Sequence, residues 1–353
     1  MKFIDTLERS QLRIAVGAVL LLLLSSGLFY LIITGKTRID ASPVTPLITE
    51  ASSTVKLVAR RLDGVLVSMG EEALQPHAVM IDNEINARPL SGLSKANMVI
   101  EAPVEGGVTR FMAFFDPTST VAEIGPIRSA RPYFVDWVKA WNALYFHVGG
   151  SPEALKQLAS SSPIFDVDEI PRGRFFWRSG DRFMPHNTYT NSRLMDQASM
   201  EFASSTAPLA WHFQDEATSS TRKLGGVLSV KVTYGGPYTV LWKFDQTQNR
   251  YRRYQTGAPS SDVDGTAIES ENVIVMKTDA RVLDDVGRLH VRTIGSGDAL
   301  AYRDGNKYTI RWRRSAGEPI KFESKDGKEF LFNRGRTWIE VTIDDRMFAG
   351  LEK

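Results

Sequence analysis

The feature that most constrains this chain is a run of twenty uncharged, mainly apolar residues near its start, residues 14–33 (IAVGAVLLLLLSSGLFYLII). At a helical rise of about 1.5 Å per residue, such a run spans about 30 Å, the thickness of a bilayer's hydrocarbon core. A cleaved signal peptide is the alternative, but its apolar core is usually only about 7–15 residues long. We therefore predict a transmembrane helix over residues 14–33, a cytoplasmic tail over residues 1–13 and the rest of the chain outside the cytoplasm.

Composition narrows the classes of function that follow this helix. Residues 34–59 are rich in Ser, Thr and Pro, which is typical of a spacer. The formal net charge of +2 lacks the basic excess of a nucleic-acid-binding protein, so we expect no nucleic-acid partner. The chain contains no cysteine, which excludes a thiol nucleophile, a disulfide, a Cys-ligated metal and a lipidated N-terminal cysteine.

Residues 60–211 have the pattern of an α/β domain, in which short apolar strands alternate with helices. The strands are predicted at residues 78–81, 97–102, 111–115 and 144–148. One helix is predicted from Pro132, because apolar residues then recur at helical spacing. A second helix is predicted from Ser151-Pro152, since Ser is a favoured cap and Pro suits the first helical position.

The chain after residue 211 has a different pattern. A polar, Ser/Thr-rich segment predicts a linker at residues 212–223. Over residues 224–353 short alternating runs are separated by turn dipeptides, which predicts a mostly antiparallel β domain, a sandwich or an open barrel. The predicted fold class is thus mixed α+β: an α/β N-terminal domain and a β-rich C-terminal domain behind one transmembrane helix.

The stretch most typical of a functional site is residues 101–132, where carboxylates and glycines lead into an apolar strand and then a Gly-Pro turn. Arg110 precedes the strand, and Arg128 and Arg131 follow the turn, just before a predicted helix. Guanidinium groups bind phosphates and carboxylates bidentately, and helix N-termini favour anions. We therefore predict an anion-binding pocket. The alternative is a set of structural ion pairs with Asp82, Glu101 or Glu105.

A second hypothesis assigns acid–base chemistry to the same region. Glu101 and Glu105 can act as acid and base in the hydrolysis of a glycan or phosphoester, with His186 assisting from a Pro-His-Asn-Thr-Tyr loop. Salt bridges or capping bonds are the alternative role for these carboxylates. The five histidines are scattered and no HExxH motif is present, so we predict no metal site and no cofactor.

The remaining candidate residues lie at strand ends and in loops, where binding residues concentrate on a rigid scaffold. The full set predicted to bind a ligand is Asp82, Arg88, Arg110, Arg128, Arg131, His147, Asn187 and Tyr189. A hydrogen-bonded structural role is the alternative for each histidine.

Eight segments together carry a resemblance to a known family: residues 88–93, 105–111, 124–133, 147–151, 186–190, 271–275, 295–297 and 335–339. In these segments the chain resembles the YerB-type lipoprotein family, a two-part domain of unknown function in bacterial envelopes. The resemblance covers roughly residues 60–353. It implies a two-part fold and a place in the envelope, and it implies no agreed activity.

The chain departs from this family's pattern at two points. Many relatives are lipidated through an N-terminal cysteine, whereas this chain has none and carries the apolar run of residues 14–33 instead. The family also tends to have a Pro-His-x-Asp stretch in its second half, and here Ser260 stands where that histidine would be. The resemblance therefore does not extend to any chemistry that depends on this histidine.

Two functions follow from these observations. The first is a membrane-anchored, extracytoplasmic envelope protein that binds an anionic cell-wall component or a protein partner, in a groove at the junction of the two domains. The alternative is a hydrolase or transferase that acts on envelope glycan or its phosphate linkages. Convergence of Glu105, Arg131 and His186 on one open cleft favours the enzyme, and closed ion pairs of the arginines favour the binding protein.

Overall fold

The computed structural model describes residues 56–160, 166–202, 205–216 and 229–347. They belong to one compact unit, residues 55–353. The predicted cytoplasmic tail, the transmembrane helix at residues 14–33 and nearly all of the predicted spacer lie outside the described residues. Within the described ranges, no helix is long and apolar enough to cross a membrane.

The described residues form a mostly β structure with few helices. The strands of the first half are β1 Leu57–Ala59, β2 Leu66–Ser68, β3 His77–Asp82, β4 Met98–Pro103, β5 Thr109–Phe115, β6 Leu144–His147, β7 Asp166–Asp168, β8 Trp177–Arg178, β9 Thr188–Tyr189 and β10 His212–Gln214. Those of the second half are β11 Ser229–Val232, β12 Val240–Asp245, β13 Arg250–Gln255, β14 Ala258–Pro259, β15 Glu269–Ser270, β16 Asn272–Lys277, β17 Ala280–Val282, β18 Leu289–Val291, β19 Gly295–Arg303, β20 Asn306–Arg314, β21 Lys321–Ser324, β22 Leu331–Asn333 and β23 Thr337–Thr342. The α-helices are α1 Pro132–Ala140, α2 Pro152–Ala159, α3 Glu169–Arg172 and α4 Ser192–Phe202.

Ten strands form a central sheet in the order β21-β20-β19-β16-β23-β4-β5-β3-β6-β7. Strands β3 to β7 come from the first half of the chain and the other five from the second half. The two groups meet where β23 pairs in parallel with β4, which places Glu340 opposite Glu101. The two predicted domains therefore share one sheet.

Strands β3, β4 and β5 are buried along their whole length, because both faces of the central sheet are covered. Ala78 and Met80 of β3 enter one apolar core together with residues of α1 and α2. Val79 and Ile81 enter the other core, together with residues of β11, β12 and β13. Burial on both faces explains why these strands have continuous apolar runs rather than an alternating pattern.

Both predicted helices of the first half are confirmed. Pro132 occupies the first turn of α1, and the helix buries its apolar face in the first core. The Ser151 hydroxyl caps α2 by accepting a hydrogen bond from the backbone N–H of Ala154 at 3.3 Å. The Asn191 side chain caps α4 in the same way, accepting from the N–H of Leu194 at 2.9 Å.

The second core is covered by a five-stranded sheet of β11 to β15. Its first two strands, β11 and β12, pair antiparallel, as expected for the β-rich second half. Trp242 of β12 packs edge-on against Trp338 of the central sheet with ring centroids 5.2 Å apart, a contact worth about 0.5–1.5 kcal/mol beyond its buried area. The second half of the chain thus divides its strands between this layer and the shared sheet, rather than forming a sandwich or barrel of its own.

The predicted spacer and the predicted linker each contain a short strand. The end of the predicted spacer is β1, which pairs with β2. The start of the linker predicted at residues 212–223 is β10, which runs parallel to β22. The ring centroids of Phe213 in β10 and of Phe332 lie 6.2 Å apart. This apolar contact holds a segment whose neighbouring residues in the sequence are polar. Residues 217–223 of that linker lie outside the described residues.

Candidate functional site

The first group of predicted residues meets where β3 ends. Asp82 is buried, and its Oδ2 lies 2.8 Å from Nδ1 of His186 and 3.0 Å from Nε of Arg128. The contact with Arg128 is an ion pair whose N–H is not aligned for a hydrogen bond. Nε2 of His186 lies 3.5 Å from a carboxylate oxygen of Glu84. The contact between His186 and Asp82 therefore holds the loop that carries His186 to the strand end.

A second group forms around Glu105, which lies in a short 3-10 turn after β4. Arg131 Nε donates to Glu105 Oε2 at 2.9 Å, and its NH2 contacts the other oxygen, so the pair is bidentate. Arg110 NH2 is 4.0 Å from the same carboxylate, and its NH1 donates to the Ser129 carbonyl at 2.8 Å. Burial and the charge of Arg128 lower the pKa of Arg110 to about 10.

These two groups form closed ion pairs, the alternative that the sequence left open. Arg128 pairs with Asp82, and Arg131 pairs with Glu105. Burial lowers the pKa of Arg131, so removing its carboxylate partner would leave a costly buried charge. The arrangement holds the loops around the strand ends together. It does not bring His186 into contact with Glu105.

His147 is fully buried at the end of β6. Its Nδ1 lies 2.8 Å from the Gly149 carbonyl and its Nε2 lies 2.6 Å from Asp166 Oδ1. Both ring nitrogens thus face acceptors and are already used. Such a histidine fixes the position of the adjoining loop.

Asn187 and Tyr189 follow His186 and are buried as well. The Asn187 side-chain oxygen accepts from Arg178 NH1 at 3.0 Å. The Tyr189 ring stacks on Trp177 with centroids 5.9 Å apart, and burial raises the pKa of Tyr189. These contacts brace the half-exposed β8 against the buried β9.

Glu101 lies in the middle of the molecule and has no exposed surface. Both of its carboxylate oxygens accept from Arg253 NH2, at 2.9 and 3.2 Å. Thr109 Oγ1 donates to Oε1 at 2.7 Å, and the Asn83 amide donates to the same oxygen at 3.2 Å. Four hydrogen bonds hold this carboxylate, so it serves as the counter-ion of a buried arginine.

Arg253 of β13, which the sequence did not single out, is the charged partner of Glu101. It is 2% exposed, and its guanidinium carbon lies 5.3 Å from the ring centre of Phe111 and 5.4 Å from that of Trp338. Its NH1 donates to Gln255 Oε1 at 2.9 Å and to Ser260 Oγ at 3.2 Å. Aromatic faces stabilise a desolvated guanidinium, so the ion pair is supported from both sides.

Glu340, on the strand next to Glu101, is also fully buried. It accepts hydrogen bonds from Trp242 Nε1 at 2.8 Å and from the Tyr234 hydroxyl at 2.9 Å. Burial, and then the negative charge of Glu101, raise the pKa of Glu340 well above its ordinary value. Burial therefore favours the neutral form of Glu340, and the single charge of Arg253 is balanced by the single charge of Glu101.

A cavity of about 310 Å³ lies over this buried pair, between the first and second halves of the chain. Its polar lining is Asn83, Arg88, Arg253, Gln255, Thr256, Ser260 and Ser261. None of the described residues that line it is acidic. The cavity therefore presents many hydrogen-bond donors and no carboxylate.

Arg88 is the predicted residue that lines this cavity. Its Nε donates to Asn83 Oδ1 at 3.1 Å, its NH2 to the Asn83 carbonyl at 2.9 Å and its NH1 to the Pro237 carbonyl at 3.2 Å. Among the described residues no carboxylate lies within 4.0 Å of it. Burial and the nearby charge of Arg253 lower the pKa of Arg88. Arg88 is thus a cation fixed by neutral acceptors alone.

Gln255 and Ser260 complete the polar wall. The Gln255 side chain is 8% exposed, and its Nε2 has no hydrogen-bond partner among the described residues. A buried amide donor without a partner costs about 1–3 kcal/mol, so an acceptor that reached it would be favoured. Ser260, which stands where the family resemblance leads us to expect histidine, accepts from Arg253 and keeps its own hydroxyl proton to donate.

The sequence of β13, RYRRYQ, does not by itself show which of its residues face inward, because its apolar and polar residues do not alternate. Tyr251, Arg253 and Gln255 alternate with more exposed residues, so they occupy the inward face of the strand. An arginine and a glutamine on an inward face require buried partners. Within the described ranges, no three His, Asp or Glu side chains are placed to hold a metal ion.

The fold and the cavity define a class: a two-part, mostly β domain whose two sequence regions share one sheet and enclose a donor-rich cavity. Comparisons with known proteins identify it. Residues 63–205 match "Protein of unknown function (DUF3048) N-terminal domain" and residues 230–339 match the DUF3048 C-terminal domain. The chain belongs to this family.

A particular relative in the family is similar over most of the chain. It is "Putative lipoprotein YerB" of Bacillus subtilis (strain 168), 31% identical over 299 residues, which are 82% of this chain and 88% of the relative. The crystal structure of YerB protein from Bacillus subtilis superposes with a TM-score of 0.73 at 30% identity, covering 84% of this chain and 100% of that chain. The expected family is therefore confirmed.

Proposed function

We propose that this protein is a membrane-associated, extracytoplasmic protein of the bacterial envelope that binds an anionic cell-wall component in the cavity under Arg88. The apolar run of residues 14–33 supports the membrane association, because it is long enough to span a bilayer. The description of the Bacillus subtilis relative as a lipoprotein points to the same compartment. An alkaline phosphatase fused after Lys353 should be active in cells, since that enzyme matures only outside the cytoplasm; an inactive, stable fusion would overturn this location.

The observation that carries the binding function is the cavity itself. It joins residues from both halves of the chain, and its lining contains two arginines and no carboxylate. Arg253 is already balanced by Glu101, whereas Arg88 has only neutral acceptors. An anionic ligand would give Arg88 a negatively charged partner. It would also give the buried amide nitrogen of Gln255 a hydrogen-bond acceptor.

A hydrolase or transferase of envelope glycan is the second candidate, and one contact favours it. Asp82 holds Nδ1 of His186, the arrangement by which an acidic residue orients a general base. The predicted carboxylates support it less, because Glu101 is fully buried and ion-paired and Glu105 is paired with Arg131. We therefore place the binding function first.

A thermal-shift screen of the purified full chain tests the binding function. The ligands are muropeptides, lipid-carrier pyrophosphates and sugar phosphates. A ligand at a hundredfold excess over its Kd raises the free energy of unfolding by about 2.7 kcal/mol, which is readily seen as a higher Tm. We expect a shift that disappears in Arg88→Gln and persists in Arg313→Gln, which removes an exposed arginine of β20 outside the cavity.

Two results would count against the binding function. One is the absence of a shift with every ligand at millimolar concentration. The other is a shift that both arginine variants retain, which would place the ligand elsewhere. Hydrolysis of a muropeptide that is lost in His186→Gln would instead favour the second candidate.

A further inference from the structure

The lining of the cavity indicates how many negative charges its ligand carries, as well as the sign of the ligand's charge. Glu101 faces Arg253 at 2.9 Å and uses both of its oxygens, so the buried pair is neutral as a unit. Arg88 then contributes one positive charge that no carboxylate among the described residues contacts. One negative charge on a ligand would balance Arg88, and a second would be buried without a partner.

The free hydrogen-bonding groups of the lining are mainly donors. The Gln255 amide nitrogen is buried and unpaired, and Nε of Arg253 is also unpaired. The Ser260 hydroxyl accepts from Arg253 and so has its proton available. The matching head group is one that accepts hydrogen bonds and donates none.

The rest of the lining is apolar. Leu90, Leu93, Phe111 and Ile268 line the cavity, and all four are buried. Apolar surface of this kind favours apolar ligand groups at about 25 cal/mol per Å² buried, whereas a small hydrated anion would leave it uncovered. A volume of about 310 Å³ limits the ligand to a small molecule or to the end of a chain.

We propose that the cavity binds the end of a molecule that carries one negative charge on an acceptor-only group, a carboxylate or a phosphodiester, next to an apolar portion. The charged group meets Arg88 and the donors of Gln255 and Ser260. The apolar portion lies against Leu93, Phe111 and Ile268. This inference rests on the proposed binding function and narrows it, because pyrophosphates and phosphate monoesters carry too much charge for the site.

The test uses matched ligands and isothermal titration calorimetry on the purified full chain. The first pair is N-acetyl-leucyl-alanine with a free carboxylate and the same peptide as its C-terminal amide. The second pair is dibutyl phosphate, with one negative charge, and butyl phosphate, with about 1.5 to 2 near pH 7. We expect the peptide carboxylate, the phosphodiester, or both to bind about 10- to 100-fold more tightly than its partner, the range expected for one charge-assisted hydrogen-bonded contact. Comparing the two pairs then separates carboxylate from phosphodiester.

Two variants test whether the ligand binds in this cavity. Arg88→Gln removes the charge and should weaken binding of the preferred ligand by about 10-fold or more, whereas Arg313→Gln should leave it unchanged. Ala258→Trp is a second variant with the arginine intact. Ala258 is exposed on β14 at the lining, so a large side chain there should obstruct the cavity without disturbing the core.

The outcomes separate this inference from the function on which it rests. Equal affinity within both pairs, or tighter binding of butyl phosphate, overturns the single-charge requirement while leaving anion binding intact. Binding that survives both Arg88→Gln and Ala258→Trp overturns the site. Failure of all four ligands here, together with shifts for pyrophosphates in the thermal screen, overturns the inference alone, and failure of both screens overturns the proposed function as well.

Discussion

Replacing Glu340 with glutamine should make the protein more stable at neutral pH. Burial, and then the charge of Glu101, raise the pKa of Glu340 well above the ordinary value of 4.5. The folded state therefore keeps a proton on Glu340 at pH values where the unfolded chain has lost it. Because the folded state binds more protons, the free energy of unfolding falls as pH rises from about 4.5 towards the pKa of the folded state.

The magnitude follows from that linkage. The loss is about 1.4 kcal/mol per pH unit while Glu340 is protonated in the folded state and ionised in the unfolded state. Glutamine copies the neutral acid, since its oxygen can accept from Trp242 Nε1 and its amide can donate to the Tyr234 hydroxyl. Glu340→Gln should thus match the wild type near pH 4.5 and gain about 1.4 kcal/mol on it for each pH unit below the pKa of the folded state.

Urea unfolding between pH 4.5 and 8, followed by tryptophan fluorescence, measures this difference. Five of the seven tryptophans are among the largest fully buried side chains, so unfolding gives a large change in signal. Glu318→Gln, at an exposed position, is the matched control and should follow the wild-type profile. A constant difference between Glu340→Gln and the wild type across this range would refute the reasoning, because it would mean that Glu340 is ionised in the folded state.

Three further variants test the structure elsewhere, each by urea unfolding. Arg253→Met should cost about 3–5 kcal/mol because it leaves Glu101 buried without a cation, and the double variant with Glu101→Leu should recover most of that loss; additive losses would contradict the coupling. Ser151→Ala removes the cap of α2 and should cost about 1 kcal/mol, and no loss would show that the cap is replaceable. Gly125→Ala should cost about 2 kcal/mol or more, because φ is 151° and a Cβ would lie 2.7 Å from the Tyr189 ring; an unchanged stability would require the ring to move freely.

Local patterns of the sequence predict much of the fold. The strands around residues 78–81, 97–102 and 111–115 were found because fully buried strands have continuous apolar runs. The start of α1 was found because Pro132 and the apolar spacing after it agree. The sequence does not predict that the two halves of the chain share one sheet. The pairing of β23 with β4 joins residues more than 230 positions apart, and no local sequence pattern indicates such a contact.

The candidate site was predicted less well, for a physical reason. The sequence favours Arg110, Arg128 and Arg131 as ligand-binding residues because they cluster near a predicted helix, but it does not show which carboxylate neutralises which arginine. Arg88, in contrast, was one candidate of several and is the one that lines the cavity without a carboxylate partner among the described residues. The sequence does not single out Arg253, because β13 contains three arginines. Which of them faces inward is known only once the register of the strand is known.

The protonation of Glu340 connects the fold to the proposed binding. The parallel register of β23 and β4 places Glu340 beside Glu101, and the two would repel each other if both were ionised. The charge of Arg253 would then be outnumbered, and the floor of the cavity would be negative and would repel an anion. Because burial favours the neutral form of Glu340, the floor is balanced and Arg88 sets the sign of the cavity. Glu340 comes from the second half of the chain and Glu101 from the first, so this balance exists only when the two halves share the sheet.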